Sequence, residues 1–191
     1  MRREYSGAPV LQLYYHTVFN RFPLGKCNDN QCERCRHAAG AAVSEIVADA
    51  EPLRTLADRA RFKVWSKDIL RLSDLDHQRH VNNAVHPQLF TNGRYALIHR
   101  RLLPLVGHGT AFALVKITIE YLNEMHFPGE VDVGTLVRRI GNSSVTYGQA
   151  IFNNGKCAAV AESVMVMLDG QTRRPKSLPA TALAELEQLR G

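Results

Sequence analysis

Long apolar runs are missing from this 191-residue chain. The longest, at residues 112–115 and 163–168, fall far short of the roughly 20 apolar residues that span a bilayer, so a membrane helix is excluded. Cysteine is scarce as well: Cys27, Cys32 and Cys35 cluster, and Cys157 stands alone in an apolar, strand-like run, which excludes a disulfide scaffold and suits a reducing compartment. No apolar stretch of the length a secretory signal requires follows Met1-Arg2-Arg3-Glu4-Tyr5, and the expected location is the cytoplasm. Aromatic residues make up only 7%, with a single tryptophan, Trp65. The basic surplus, 24 Lys and Arg against 18 Asp and Glu, is dispersed and is not interleaved with those aromatics on a helix face. A nucleic-acid surface is therefore not expected, and neither is a membrane partner.

What is present is an ordinary globular mixture, 45% hydrophobic and 22% charged, long enough for one domain and an appendage. Residues 1–60 have poor periodicity and form a lead-in, with Pro52 interrupting an Ala-rich, helix-compatible segment. From residue 61 the pattern sharpens. A strand ends in a polar segment at 73–80, and a broadly apolar helix begins near Pro87 and stops near Pro104 or Gly107. Strands follow at 112–124, 131–140, 144–152 and 156–168; in the first, Val115, Ile117, Ile119 and Tyr121 alternate with Lys116, Thr118 and Glu120. Asn153-Asn154-Gly155 predicts a hairpin turn, and a short helix closes the chain at 181–189. The expectation is an α+β domain over residues 61–179 with a tail at 180–191, in which one long helix covers the apolar face of a curled antiparallel sheet and four strands meander.

The most unusual segment is Asp74-Leu75-Asp76-His77-Gln78-Arg79-His80-Val81-Asn82-Asn83. It places two carboxylates, two imidazoles and three amides directly ahead of the helix. Two readings are open. Asp and Asn are favoured at turns and caps, so the cluster can serve only to organise a loop. Alternatively, a carboxylate beside a helix N-terminus acts as base or nucleophile, while nearby amide N–H groups hold a developing oxyanion.

Asp74-x-Asp76, His80-Val81-Asn82-Asn83 and Gly93-Arg94 resemble the hotdog-fold acyl-CoA thioesterases of the 4-hydroxybenzoyl-CoA thioesterase type. The likeness continues through Phe127-Pro128-Gly129, Gly141-x-Ser143-Ser144 and Arg174-Pro175…Leu178-Pro179. The resemblance implies a single hotdog domain and hydrolysis of an acyl-CoA to free acid and coenzyme A. No cofactor is implied beyond the coenzyme A of the substrate, and the assembly would be a homodimer or homotetramer with its pocket between subunits. It gives Asp76 the position of the catalytic carboxylate, Asn83 that of the backbone oxyanion donor, and His80 and Asn82 those of orienting groups. Gln78 replaces an Asn found in the similar segment of plant acyl-carrier-protein thioesterases, and Glu124 resembles a further acid of that group.

The chain also departs from the family. Many bacterial relatives carry Gly at the position of Arg79, an aromatic at that of His86 and Glu at that of Thr91. The basic surplus supplies candidate contacts for the phosphates of coenzyme A: Arg94, Arg138, Arg139 and Lys156, with Ser143 and Ser144 in the adjoining turn. Cys27, Cys32, Cys35 and His37 do not match a common zinc spacing, and no metal is expected there. His16, His99, His108 and His126 are expected to be unrelated surface or core residues. Two further activities compete with hydrolysis, namely acyl-CoA binding without turnover and hydration of an enoyl thioester.

Overall fold

The computed structural model describes residues 51–191. The Cys27–Cys35 cluster and His37 lie outside the described residues. Strand β1 (Val64–Ile69) leads through a short 3-10 turn (Leu72–Asp74) to helix α1 (Val85–Leu97). A π-helical turn (Ile98–Leu102) and a last α-helical turn, α2 (Leu103–Val106), carry the helix on to Gly107, whose φ of 80° ends it. Four strands follow, β2 (Thr110–Tyr121), β3 (Glu130–Ile140), β4 (Ser144–Asn153) and β5 (Lys156–Asp169), and then helix α3 (Ala180–Gln188). The π turn is absent from the sequence expectation, which ran the helix straight to its stop.

All five strands form one antiparallel sheet in the order β1-β3-β4-β5-β2. This is the α+β hotdog arrangement, a single sheet around one long helix. The expected four-strand meander is corrected in one respect: β3, β4 and β5 meander, whereas β2 pairs with β5 and β1 pairs with β3. The connection at residues 122–129, with a cis Phe127-Pro128 bond, carries the chain from one edge of the sheet to the other side. Strand alternation specifies which residues face the core but not which strand lies alongside.

The helix packs on one face of the sheet. Leu89, Phe90 and Leu97 are almost wholly buried against Val131, Val133, Val137, Tyr147 and Ile151; burying each large apolar side chain contributes about 1.5–3 kcal/mol. Gly93 marks the closest approach. A Cβ there would lie 2.7 Å from Val133 Cγ1, so a larger residue would push the helix off the sheet. The opposite face is covered too. Leu56 and Phe62 join Leu136, Ala150, Phe152 and Val160 in a second apolar layer. The 3-10 segment Leu53–Ala57 thus packs on the sheet. Helix α3 is likewise part of the core, since Ala182 and Leu186 are fully buried beside Leu102 and Met167.

Candidate functional site

The loop between β1 and α1 is held by its own backbone. Leu75 and Val81 form an isolated antiparallel bridge. Asp76 N–H donates to His80 O at 2.9 Å, Asn82 N–H to Asp74 O at 2.8 Å, and Arg79 N–H to Asp76 O at 3.1 Å. Closing so tight a loop puts Arg79 at φ 65°, in the left-handed region that favours glycine. Arg79 is exposed and lines the rim beside Asp76.

One carboxylate oxygen of Asp76 is committed inside the loop. Its Oδ1 accepts from Gln78 N–H at 2.8 Å and His80 N–H at 3.2 Å. Its Oδ2 has no partner among the described residues, and the side chain is half-buried. An anchored carboxylate with one uncommitted oxygen has a fixed direction in which to take a proton or attack carbon. The Gln78 and His80 backbones, and not their side chains, do the anchoring.

Helix α1 begins directly beyond. Asn82 Oδ1 accepts from Ala84 N–H at 2.9 Å and Asn82 O from Val85 N–H at 2.9 Å, so Asn82 closes the turn that leads into the helix. Asn83 N–H has no partner among the described residues and lies in the turn just ahead of α1, near the positive end of its dipole. Tyr121, at the end of β2, donates from its hydroxyl to Asn83 O at 3.2 Å and stacks edge-on against His86, with ring centroids 5.0 Å apart. His86 is buried, with Nδ1 3.3 Å from Asn82 O. Burial holds its imidazole below the usual 6.5 despite the backbone carbonyls that oppose the shift.

Asp76, Gln78, His80, Asn83, His86, Tyr121 and Glu124 line one open cavity of about 320 Å³. On the far side of Asp76 a second depression, about 670 Å³, is bounded by Leu72, Leu75, Arg79, His126 and Phe127. Asp76 therefore stands on the ridge between a polar cleft and a partly apolar one, where Leu72 and Phe127 are exposed.

Residues 70–186 match the thioesterase-like superfamily. The chain belongs to this superfamily. A thioesterase of Thermus thermophilus, solved with coenzyme A and zinc, is 30% identical with a TM-score of 0.60, over 68% of this chain and 96% of that one. The PA5185 protein of Pseudomonas aeruginosa strain PAO1 is 28% identical with a TM-score of 0.63, over 70% of this chain and 95% of that one. A predicted thioesterase of Bacillus stearothermophilus is 27% identical with a TM-score of 0.62, covering 67% and 96%. No curated protein matches the sequence.

Not every residue expected at the site of this superfamily member is there. Arg94 is corrected outright: it lies on the sheet-facing side of α1, 3% exposed, with Nη1 donating to Gln149 Oε1 at 2.8 Å and Nη2 to Thr91 Oγ1 at 2.9 Å. Desolvation brings its guanidinium down to about 10. It is an internal polar strut, not a ligand contact. Its burial was signalled by the i, i+4 spacing of His86, Phe90, Arg94 and Ile98 on one helix face.

Arg138 is also committed elsewhere. It lies under the 3-10 segment on the opposite face of the sheet, with Nη1 donating to Glu162 Oε2 at 3.0 Å and Nη2 to Glu51 O. Arg139, near the end of β3, and Ser143 and Ser144 beyond it sit far from the Asp76 loop, which adjoins the start of that strand at Glu130; at 3.3 Å per residue the nine steps to Arg139 alone are about 30 Å. Lys156 is at the near end, lining a cleft of about 320 Å³ with Asn123, Glu124 and His126. His126 is a surface residue, as expected, and the connection after β2 brings it beside His80 and Glu124. Nothing in the local pattern signalled that juxtaposition.

Proposed function

We propose that this protein is an acyl-CoA thioesterase in which Asp76 is the catalytic carboxylate. One observation supports the reading above the others: an anchored carboxylate, with one oxygen open among the described residues, shares a cavity with Asn83 in the turn just ahead of helix α1, in a chain of the thioesterase-like superfamily. The carboxylate activates a water by taking its proton. The water oxygen bonds to the thioester carbon, the oxyanion is held by Asn83 N–H at the helix terminus, and the C–S bond breaks as the proton passes to the leaving thiolate. Alternatively Asp76 attacks the same carbon, the C–S bond breaks as the thiolate leaves and takes a proton from water, and the hydroxide so formed hydrolyses the mixed anhydride to free acid, restoring the carboxylate. Asn82 keeps the helix start in place, Gln78 and His80 hold Asp76 through their amides, and the His80 ring forms the wall towards Glu124.

Coenzyme A, which the Thermus thermophilus thioesterase carries, is the expected thiol component here. Lys156, which lines the neighbouring cleft, and Arg79, at the rim beside Asp76, are candidate cations for its phosphates within one chain. We further propose a homodimer formed along β2, an edge strand carrying the exposed side chains of Leu114 and Tyr121. Arg139, Ser143 and Ser144 then reach a ligand at Asp76 only as the contribution of a second copy.

The test is release of free thiol from short, long and aromatic acyl-CoAs by the native chain. Thiol release is the expected result. Binding of acyl-CoA without release moves the function to acyl binding, and loss of enoyl absorbance without release identifies a hydratase.

A further inference from the structure

We propose that His80, Glu124 and His126 bind a first-row divalent cation of the zinc class at the rim of the cleft. His80 Nε2 lies 3.6 Å from Glu124 Oε2, and His126 Nε2 lies 3.8 Å from the same oxygen. The two rings stand nearly perpendicular with centroids 4.9 Å apart, and one donor atom from each residue falls within 4.8 Å of the others. These separations exceed a hydrogen bond, which for nitrogen and oxygen closes at about 2.7–3.2 Å. The two imidazoles and the carboxylate therefore enclose a gap without satisfying one another.

An ion fits that gap. Around tetrahedral zinc, bonds of about 2.0–2.2 Å place donor atoms roughly 3.3 Å apart, so closing the present cluster takes a shift of about 1.5 Å or less. The side chains are free to make it, being 32% exposed for His80, 65% for Glu124 and 61% for His126. Their backbones are already fixed to one another. Val81 N–H donates to Met125 O at 2.9 Å, joining the segment that carries His80 to the one that carries Glu124 and His126, and His80 O accepts from Asp76 N–H. Ordering the ligands therefore costs only side-chain freedom.

Two imidazoles and one carboxylate also set the selectivity. They suit zinc, nickel or copper, whereas magnesium demands six oxygen donors in octahedral array. Three protein ligands leave a fourth position for water, open to the cleft that His80 and Glu124 line with Asp76. The site stands or falls independently of thioester hydrolysis.

The experiment uses the full chain stripped by chelator, carrying Cys27→Ser, Cys32→Ser and Cys35→Ser so that no thiol of the amino-terminal cluster holds metal. Zinc content and affinity are measured by equilibrium dialysis against zinc chloride, with magnesium as competitor. The expected result is one zinc per chain, undisturbed by magnesium at equal concentration and weakened at least about tenfold by His126→Ala, the smaller end of what losing even an outer-shell partner does. In the unsubstituted chain, cobalt should give visible bands that His126→Ala abolishes and that persist without a sulfur charge-transfer band once the cysteines are replaced. No bound zinc, displacement by magnesium, or an affinity unchanged in a folded His126→Ala chain overturns the proposal.

Discussion

Helix α1 carries one polar cluster and the loop ahead of it another, and they could hardly be more differently placed. In the middle of the helix, Arg94 is sealed against the sheet: its donors go to Gln149 and Thr91, while Gln149 donates in turn to Phe90 O at 3.0 Å and Thr135 Oγ1 at 3.1 Å. At the start of the helix, Asp76 is half-buried, anchored through one oxygen and open through the other. The first cluster ties the Arg94 and Gln149 donors to neighbouring acceptors and shuts out solvent, leaving the buried Tyr147 hydroxyl beside it without a partner among the described residues, so its polarity fixes the register of helix on sheet. The second keeps an unmatched acceptor and an unmatched helix terminus beside a cavity. Charge in the sequence marks both equally; uncommitted hydrogen-bonding capacity with access marks only the second.

Among substitutions that act on folding, breaking the sealed cluster should have the largest effect. Arg94→Ala leaves Gln149 Oε1 short of its donor and opens a cavity, and should lower unfolding free energy by about 2–3 kcal/mol in a denaturant titration. Arg94→Met, which removes the buried charge but keeps most of the volume, should cost roughly 1 kcal/mol less. A loss of turnover without loss of stability in either chain would erase the distinction between the clusters. Gly93→Ala comes next, because its Cβ meets Val133. Overpacking of about 1–3 kcal/mol outweighs the better helix propensity of Ala, about 1 kcal/mol, and a lower melting temperature is expected.

His86 joins the two regions and gives a pH signature. Its folded-state pKa lies below the ordinary 6.5, so the native state favours the neutral ring. Above 6.5 both states are neutral and its contribution is constant; as pH falls below 6.5 the unfolded chain takes up the proton first and stability declines. His86→Phe keeps the contact with Tyr121 and removes the proton site. The drop in denaturation midpoint between about pH 7.5 and 5.5 should be smaller in the variant than in the native chain. An equal drop would mean that the ring is protonated in place.

The smallest effect is expected at Arg79→Gly. Relief of the left-handed backbone, roughly 1 kcal/mol, is mostly cancelled by the greater freedom of an unfolded glycine. A gain of a few tenths in unfolding free energy is expected, and a loss would mean that the Arg79 side chain holds the loop.

Much of this was legible in the sequence, and the exceptions have physical causes. The alternation at 115–121 found β2, and Asn154-Gly155 found the β4–β5 hairpin, because both depend on local geometry. The place of β2 beside β5 was not legible, since it depends on where the connection at 122–129 crosses. The Asp74–Asn83 segment stood out in the sequence because its residue types are rare in such density, and the structure folds it into a loop that lines two cavities. Arg94 was misplaced because attention to its charge overrode the helix period that buries it. The neighbours of His126 were not legible because they come from a loop more than forty residues earlier, and from Glu124 only after the turn has formed.

The most direct test is the rate of coenzyme A release from one acyl-CoA by the native chain and by Asp76→Asn, with binding of that acyl-CoA measured in both. Asn keeps an Oδ1 able to accept from the Gln78 and His80 amides, so the loop should hold its shape while the charge is gone. The account predicts a fall in turnover of at least about a hundredfold, the scale of lost acid–base help, with binding retained. Equal turnover in the two chains would contradict it and move the chemistry away from Asp76.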